Sequence, residues 1–211
     1  MRQFSLIDKI LTQADHALTT IFTVSSNARS NPADGLSEKK LSESERETSV
    51  GCMRVNHTGE VCAQALYRGQ AAVSRATNTR DMLEKSCDEE TDHLAWTKKR
   101  LDELNGRTSY LNMLWYMNSY LIGVIAGLAG DKWSLGFVEE TEIQVAKHLT
   151  NHLNHIADKD LKSRAIIEKM REEEICHEKA ARAAGGVELP APVKMLMQLH
   201  SKVMTTVAYY I

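Results

Sequence analysis

Proline is nearly missing from this chain. Three occur in 211 residues, Pro32, Pro190 and Pro192, so residues 33–189 contain none. Aromatic residues make up only 6% and β-branched clusters are few. Such a stretch argues against a turn-rich β fold and predicts an all-α domain. Positive charge is not in surplus either. The 26 basic residues stand against 28 acidic ones, a net charge of −2. That excludes a nucleic-acid binder, which needs a Lys/Arg excess gathered on one face. The four cysteines, Cys52, Cys62, Cys87 and Cys176, show no C-x-x-C spacing. This excludes a thiolate zinc site, a rubredoxin-type centre and a disulfide scaffold, and points to a reducing compartment. No G-x-G-x-x-G is present, so no dinucleotide-binding turn is encoded.

What is present begins with MRQFSLIDKILTQADHAL, which carries Asp8 and Lys9 inside its apolar stretch. A signal peptide would have an unbroken apolar region there, and a transit peptide would lack acids. Ile7, Leu11, Ala14, Leu18 and Ile21 recur at helical spacing and predict a short amphipathic helix. Residues 23–47 are polar and read as a linker or mobile loop, so residues 1–47 form an appendage to a domain spanning 48–211. In that domain Thr77-Asn78-Thr79, Asn105-Gly106, Gly130-Asp131 and Asp158-Lys159-Asp160 separate five helical segments. Gly185-Gly186 closes the last, and a sixth helix covers about 191–210. Short connections imply antiparallel neighbours in a helical bundle.

The informative feature is acid where a core should be. Written in a 4-3 register, one segment runs Leu83, Cys87, Glu90, Leu94, Thr97, Leu101, Leu104. Another runs Val138, Glu142, Val145, Leu149, His152, Ile156, and a third Ile167, Met170, Glu174, His177, Ala181, Ala184. A weaker one aligns Glu60 with Ala63, Tyr67 and Ala71. Burying a lone carboxylate costs several kcal/mol or forces it neutral, so four core acids demand compensating charge. No Lys or Arg lies on these stripes. Two divalent ions would balance four carboxylates, with imidazoles as neutral ligands. Glu90-x-x-His93 and Glu174-x-x-His177 each put both groups on one helix face, and single acids precede them by 30 residues (Glu60) and 32 (Glu142). One Glu on each of two helices and Glu-x-x-His on each of two others is the ligand pattern of ferritin-like dinuclear carboxylate proteins. A hard, oxygen-rich set suits iron or manganese better than copper or zinc.

Neighbouring residues carry plainer readings. Glu89 and Glu173 fall off the register and belong to a solvated face or a supporting shell around the ligands. Glu139 and Glu140 read as surface charges. His152 sits on the stripe and can support a ligand, whereas His148 and His155 read as polar-face histidines. His57 makes only a reversed pair with Glu60. Cys62, Cys87 and Cys176 read as small buried residues.

RVNHTGEVCAQALYRGQ (54–70), EETDHLAWTKKRLDEL (89–104), LGFVEETEIQVAKHLTNHL (135–153) and EEEICHEKAA (172–181) together resemble the Coq7 family. These are the demethoxyubiquinone hydroxylases of ubiquinone biosynthesis, in bacteria the 2-polyprenyl-3-methyl-6-methoxy-1,4-benzoquinol hydroxylases. The resemblance covers nearly everything from residue 50 onward. It implies a ferritin-like four-helix bundle with two Fe ions on Glu60, Glu90, His93, Glu142, Glu174 and His177. It also implies O2 as co-substrate and hydroxylation of a polyprenyl benzoquinol ring. The expected partners are that substrate, a membrane lipid surface, and a second copy or other ubiquinone-biosynthesis proteins. The expected location is the cytoplasmic face of the bacterial cell membrane, held peripherally.

One segment fits a greasy substrate independently of that resemblance. From Thr108 to Gly130 there is no charged residue. Asn112, Asn118 and Ser119 interrupt the run, and Gly123-x-x-x-Gly127 permits close helix contact. A spanning helix would strand the loop to Glu142 on the wrong side, so this crossover helix is expected to lie in a bilayer interface or against another protomer. The last helix (Val193, Leu196, Met197, Leu199, Val203) is similarly apolar. The alternative function is a ferritin-like ferroxidase or iron-binding protein without organic substrate, against which the long uncharged segment counts.

Overall fold

The computed structural model describes residues 5–22 and 29–211. Residues 1–4 and 23–28, parts of the segments read as amphipathic helix and polar linker, lie outside the described residues. Among the described residues there are seven helices and no strand: α1 (Leu6–Phe22), α2 (Glu43–Val73), α3 (Thr77–Glu103), α4 (Asn112–Leu128), α5 (Asp131–His155), α6 (Leu161–Ala183) and α7 (Ala191–Tyr210).

The helix ends follow from local chemistry. Ser42 and Glu45 make a reciprocal capping box, which starts α2 at Glu43, a full turn before the expected start near residue 48. Thr77 opens α3 rather than breaking the chain, and the break falls at Ser74–Ala76. Ala76 has no side chain to cap that helix. Asp131, at the start of α5, does so from outside by accepting the backbone N–H groups of Arg75 and Ala76 at 3.2 and 2.9 Å. Asp160 caps α6 through the Ser163 N–H and also holds the buried Arg100 guanidinium at 2.8 Å. Gly185, at φ +100°, takes the left-handed position after α6 that a side chain would resist.

Two helical hairpins, α2–α3 and α5–α6, form the bundle, and α4 crosses between them. The apolar registers point inward: Leu83, Cys87, Leu94, Thr97 and Leu101 of α3 are buried, as are Ile167, Met170 and Ala181 of α6. Ala184 at the end of the α6 register is exposed. One apolar cluster, around Met53, Trp96, Leu149 and Ile167, fills one end of the bundle. A second, around Tyr67, Leu83, Val138 and Ala181, fills the other. The acids lie in the interval between them along the sequence of each helix.

A second layer lies on α2. Helix α4 packs along it, with α1 and α7 also against α2. The approach of α4 is set by glycines: a Cβ on Gly123 would come 2.1 Å from the Leu66 carbonyl oxygen, and one on Gly69 2.3 Å from that of Tyr120. The Gly123-x-x-x-Gly127 spacing therefore serves contact within the chain. Outward, α4 shows Leu114, Met117, Leu121, Ile125 and Leu128, each more than half exposed and spaced as one helical stripe. Ile7, Leu11, Leu18 and Phe22 of α1 and Met195, Leu196, Leu199 and Val203 of α7 are exposed as well. Among the described residues, no helix is long and apolar enough to cross a membrane.

Candidate metal centre

The register places Glu60 on α2, Glu90 and His93 on α3, Glu142 on α5, and Glu174 and His177 on α6. The fold brings all six together, each at most 9% exposed. They make two overlapping groups, Glu60, Glu90, His93 and Glu174, and Glu90, Glu142, Glu174 and His177, with ligand-type atoms within 4.8 Å of one another in each. Glu90 and Glu174 belong to both. His93 Nδ1 lies 2.8 Å from Glu90 Oε2, 3.5 Å from Glu60 Oε2 and 3.4 Å from Glu174 Oε1. His177 Nδ1 lies 3.2 Å from Glu174 Oε2 and 3.4 Å from Glu90 Oε1. Both imidazoles thus turn the same nitrogen inward.

Four carboxylates this deep strain the ordinary protonation states. Burial, then the neighbouring Glu90, pushes Glu60 well above the usual carboxylate range, and burial, then Glu174, does the same to Glu142. Burial alone would lower the histidines, yet the surrounding carboxylates raise both, His177 to about 12. Moreover, Oε1 of Glu90 and of Glu142 are buried and accept no hydrogen bond. Buried carboxyl oxygens without a hydrogen-bond donor, beside inward-facing imidazole nitrogens, fit divalent cations, whose positive charge would compensate the four carboxylates.

The outward nitrogens are braced crosswise. His93 Nε2 on α3 is 2.8 Å from Glu173 Oε2 on α6, and His177 Nε2 on α6 is 2.7 Å from Glu89 Oε2 on α3. These acids are the supporting shell that the off-register reading allowed. Carboxylate–histidine pairs of this kind fix the ring and its tautomer with Nε2 carrying the proton.

Other sequence readings need correction. Glu139 and Glu140 are buried, not surface charges: Arg182 holds Glu139 at 2.5 Å, and Glu140 takes Gln144 at 2.8 Å with Lys194 at 3.5 Å. Cys176 is exposed, because it falls on the outward face of α6, whereas Cys87 is buried. His152 donates from Nδ1 to Asn56 Oδ1, 2.8 Å away, and belongs to neither acidic group; His155 is exposed. Arg100 is a fully buried cation that the stripes did not reveal, but its partners are Asp160, Glu38 and Glu103 rather than the acidic cluster. Sequence reasoning also missed Arg29. It reaches from the polar segment before α2 to Asp92 and, at 2.6 Å, to Glu173 Oε1. No spacing signal marks a single arginine in a polar stretch.

Residues 47–208 match the family of the ubiquinone biosynthesis protein COQ7. The chain belongs to that family. The 3-demethoxyubiquinol 3-hydroxylase of Coxiella burnetii (strain Dugway 5J108-111) is 54% identical over 210 residues, covering 100% of this chain and 98% of that protein. The enzyme of the same name from Nitrosococcus oceani is 51% identical over 211 residues, with 100% and 99% covered. That from Nitrosomonas europaea is 48% identical over 205, with 97% and 99% covered. Among solved structures, a dodecameric thioferritin, the bacterioferritin-related protein of Bacteroides fragilis, aligns with a TM-score of 0.51 at 16% identity. That match covers 65% of this chain and 84% of that one, and it shows the ferritin-like fold. In a COQ7-family chain of this fold, the clustered Glu and His residues are compatible with a di-iron site.

Proposed function

We propose that this chain is an O2-dependent monooxygenase that hydroxylates the ring of a polyprenyl benzoquinol, 3-demethoxyubiquinol, in ubiquinone biosynthesis. The observation that carries the reading is the six-residue cluster on four helices, in a chain about half identical to relatives named for that reaction. Glu60, Glu90, His93, Glu142, Glu174 and His177 would hold two irons. When bound, the irons would supply the electrons and Lewis acidity that activate dioxygen for insertion into the ring.

The protein's own contribution is positional. Glu173 and Glu89 keep the Nε2 protons of His93 and His177, leaving each Nδ1 lone pair directed at the centre. The apolar clusters at the two ends exclude water from the bundle interior. The outward stripes of α4, α1 and α7 would rest in the interfacial region of a bilayer, where a polyprenyl tail resides. On this reading the protein would be a peripheral occupant of a membrane surface, in a bacterium the cytoplasmic face of the cell membrane. A second copy or another protein of the pathway is the remaining way to cover such a surface.

The deciding experiment supplies iron-loaded protein with a demethoxyquinol, a reductant and labelled dioxygen. Label in the new ring hydroxyl is expected. Oxygen consumption driven by ferrous iron with no ring product would instead indicate a ferroxidase.

A further inference from the structure

The two halves of the centre are braced by carboxylates of unequal rigidity. Behind His93, which is fully buried, Glu173 is itself held from two sides: Arg29 Nη1 lies 2.6 Å and Lys169 Nζ 3.0 Å from its Oε1. The Arg29 fork continues to Asp92, to the Glu89 carbonyl at 3.3 Å, and over the Trp96 ring, whose centroid is 5.0 Å from the guanidinium carbon. Trp96 in turn lies 5.4 Å from the His93 ring. Behind His177, Glu89 is 35% exposed and has Lys85 at 3.6 Å, itself 77% exposed. A planar guanidinium fork spanning two carboxylates and an aromatic face fixes geometry. An exposed lysine pair at such a distance contributes little.

We infer that Arg29 is a positioning residue for His93, and that it makes the His93 half of the centre the tighter and slower-exchanging of two unequal metal positions. The inference rests on the proposed ligand set. The segment before α2 then belongs to the metal centre, although it supplies no ligand.

The test is anaerobic titration of the metal-free full chain with Co(II), followed by the visible absorption of the bound ion and by calorimetry, with circular dichroism recording helix content. The wild type should take up its first equivalent at least about tenfold more tightly than its second. Arg29→Met should weaken the first equivalent by about 10- to 100-fold, the range for loss of a supporting contact, and bring the two steps together. Arg29→Lys, which keeps the charge but loses the fork, should recover only part. Glu89→Gln should weaken the second step and widen the gap. Two wild-type equivalents of equal affinity, or an Arg29→Met isotherm matching wild type, would overturn the inference while leaving the ligand set intact. Absence of Co(II) binding to the wild type would overturn both.

Discussion

The interior of the α2–α3–α5–α6 bundle and the outer surface of α1, α4 and α7 invert the usual distribution of polarity. Inside, four carboxylates and two imidazoles meet at positions where helix registers call for apolar side chains. Outside, a stripe of Leu, Met and Ile on α4 stands open. Neither arrangement is favourable by itself, since buried anions cost several kcal/mol each and open apolar stripes lose about 25 cal/mol per Å2 left in water. Cations in the one and a covering phase over the other would offset these costs, as the proposed function requires.

The largest expected effect comes from deepening the interior deficit. Glu90→Ala or Glu174→Ala, at positions common to both acidic groups, should cut bound iron from about two per chain to less than one and abolish turnover. Glu142→Ala should remove one iron, whereas Glu140→Ala, whose carboxylate serves Gln144 and Lys194, should leave iron content unchanged. Elemental analysis of anaerobically purified protein reads the outcome. Reversing the outer surface is the next step. Leu121→Glu with Ile125→Glu should reduce vesicle binding by at least about a hundredfold, given roughly 1.5–3 kcal/mol per buried aliphatic side chain. Sedimentation with liposomes measures it, and turnover of a short-tailed quinol should persist.

The seam between the regions gives a smaller effect. Gly123→Val must displace either α4 or the Leu66 backbone and should cost about 3 kcal/mol or somewhat more in chemical denaturation. A further effect, read by pH, concerns interior polarity unrelated to the acids. Burial lowers His57 and His148 to about 4 and His152 to about 3. Their unfolded forms take up protons near pH 6.5, before the folded ones do, so stability should fall as pH drops from about 6.5 toward 4. Each histidine contributes a slope approaching 1.4 kcal/mol per pH unit, and His148→Gln should flatten the curve.

The bundle and its six central residues were legible because periodicity is local. A carboxylate on an apolar stripe announces itself within one helix, and Glu90-x-x-His93 repeats as Glu174-x-x-His177. What escaped was set by contacts between helices. Glu89 and Glu173 sit four residues before the histidine of their own helix, yet each braces the histidine of the other. Glu139 reads as surface until Arg182 of α6 is seen over it. Arg29 lies 63 residues from Asp92 and 144 from Glu173, separations at which no pattern of a single sequence speaks. The capping box at Ser42 and Glu45 starts α2 at Glu43, inside the polar stretch read as a linker, because two reciprocal hydrogen bonds outweigh the lack of apolar residues there.

Backbone-to-backbone contact at Gly69 and Gly123 has a mechanical consequence. At that crossing no side chain stands between α4 and the helix that carries Glu60, so the separation there is set by backbone against backbone. The outward stripe is thereby tied to the helix that carries Glu60 at a fixed spacing, like a depth gauge cut from a single piece. Exchanging one aliphatic residue for another along that stripe alters how strongly the surface is wetted. On the proposed membrane-seated reading, the distance from that surface to Glu60 would stay the same, and a head group at fixed depth would meet the same geometry whatever length of tail trails behind it.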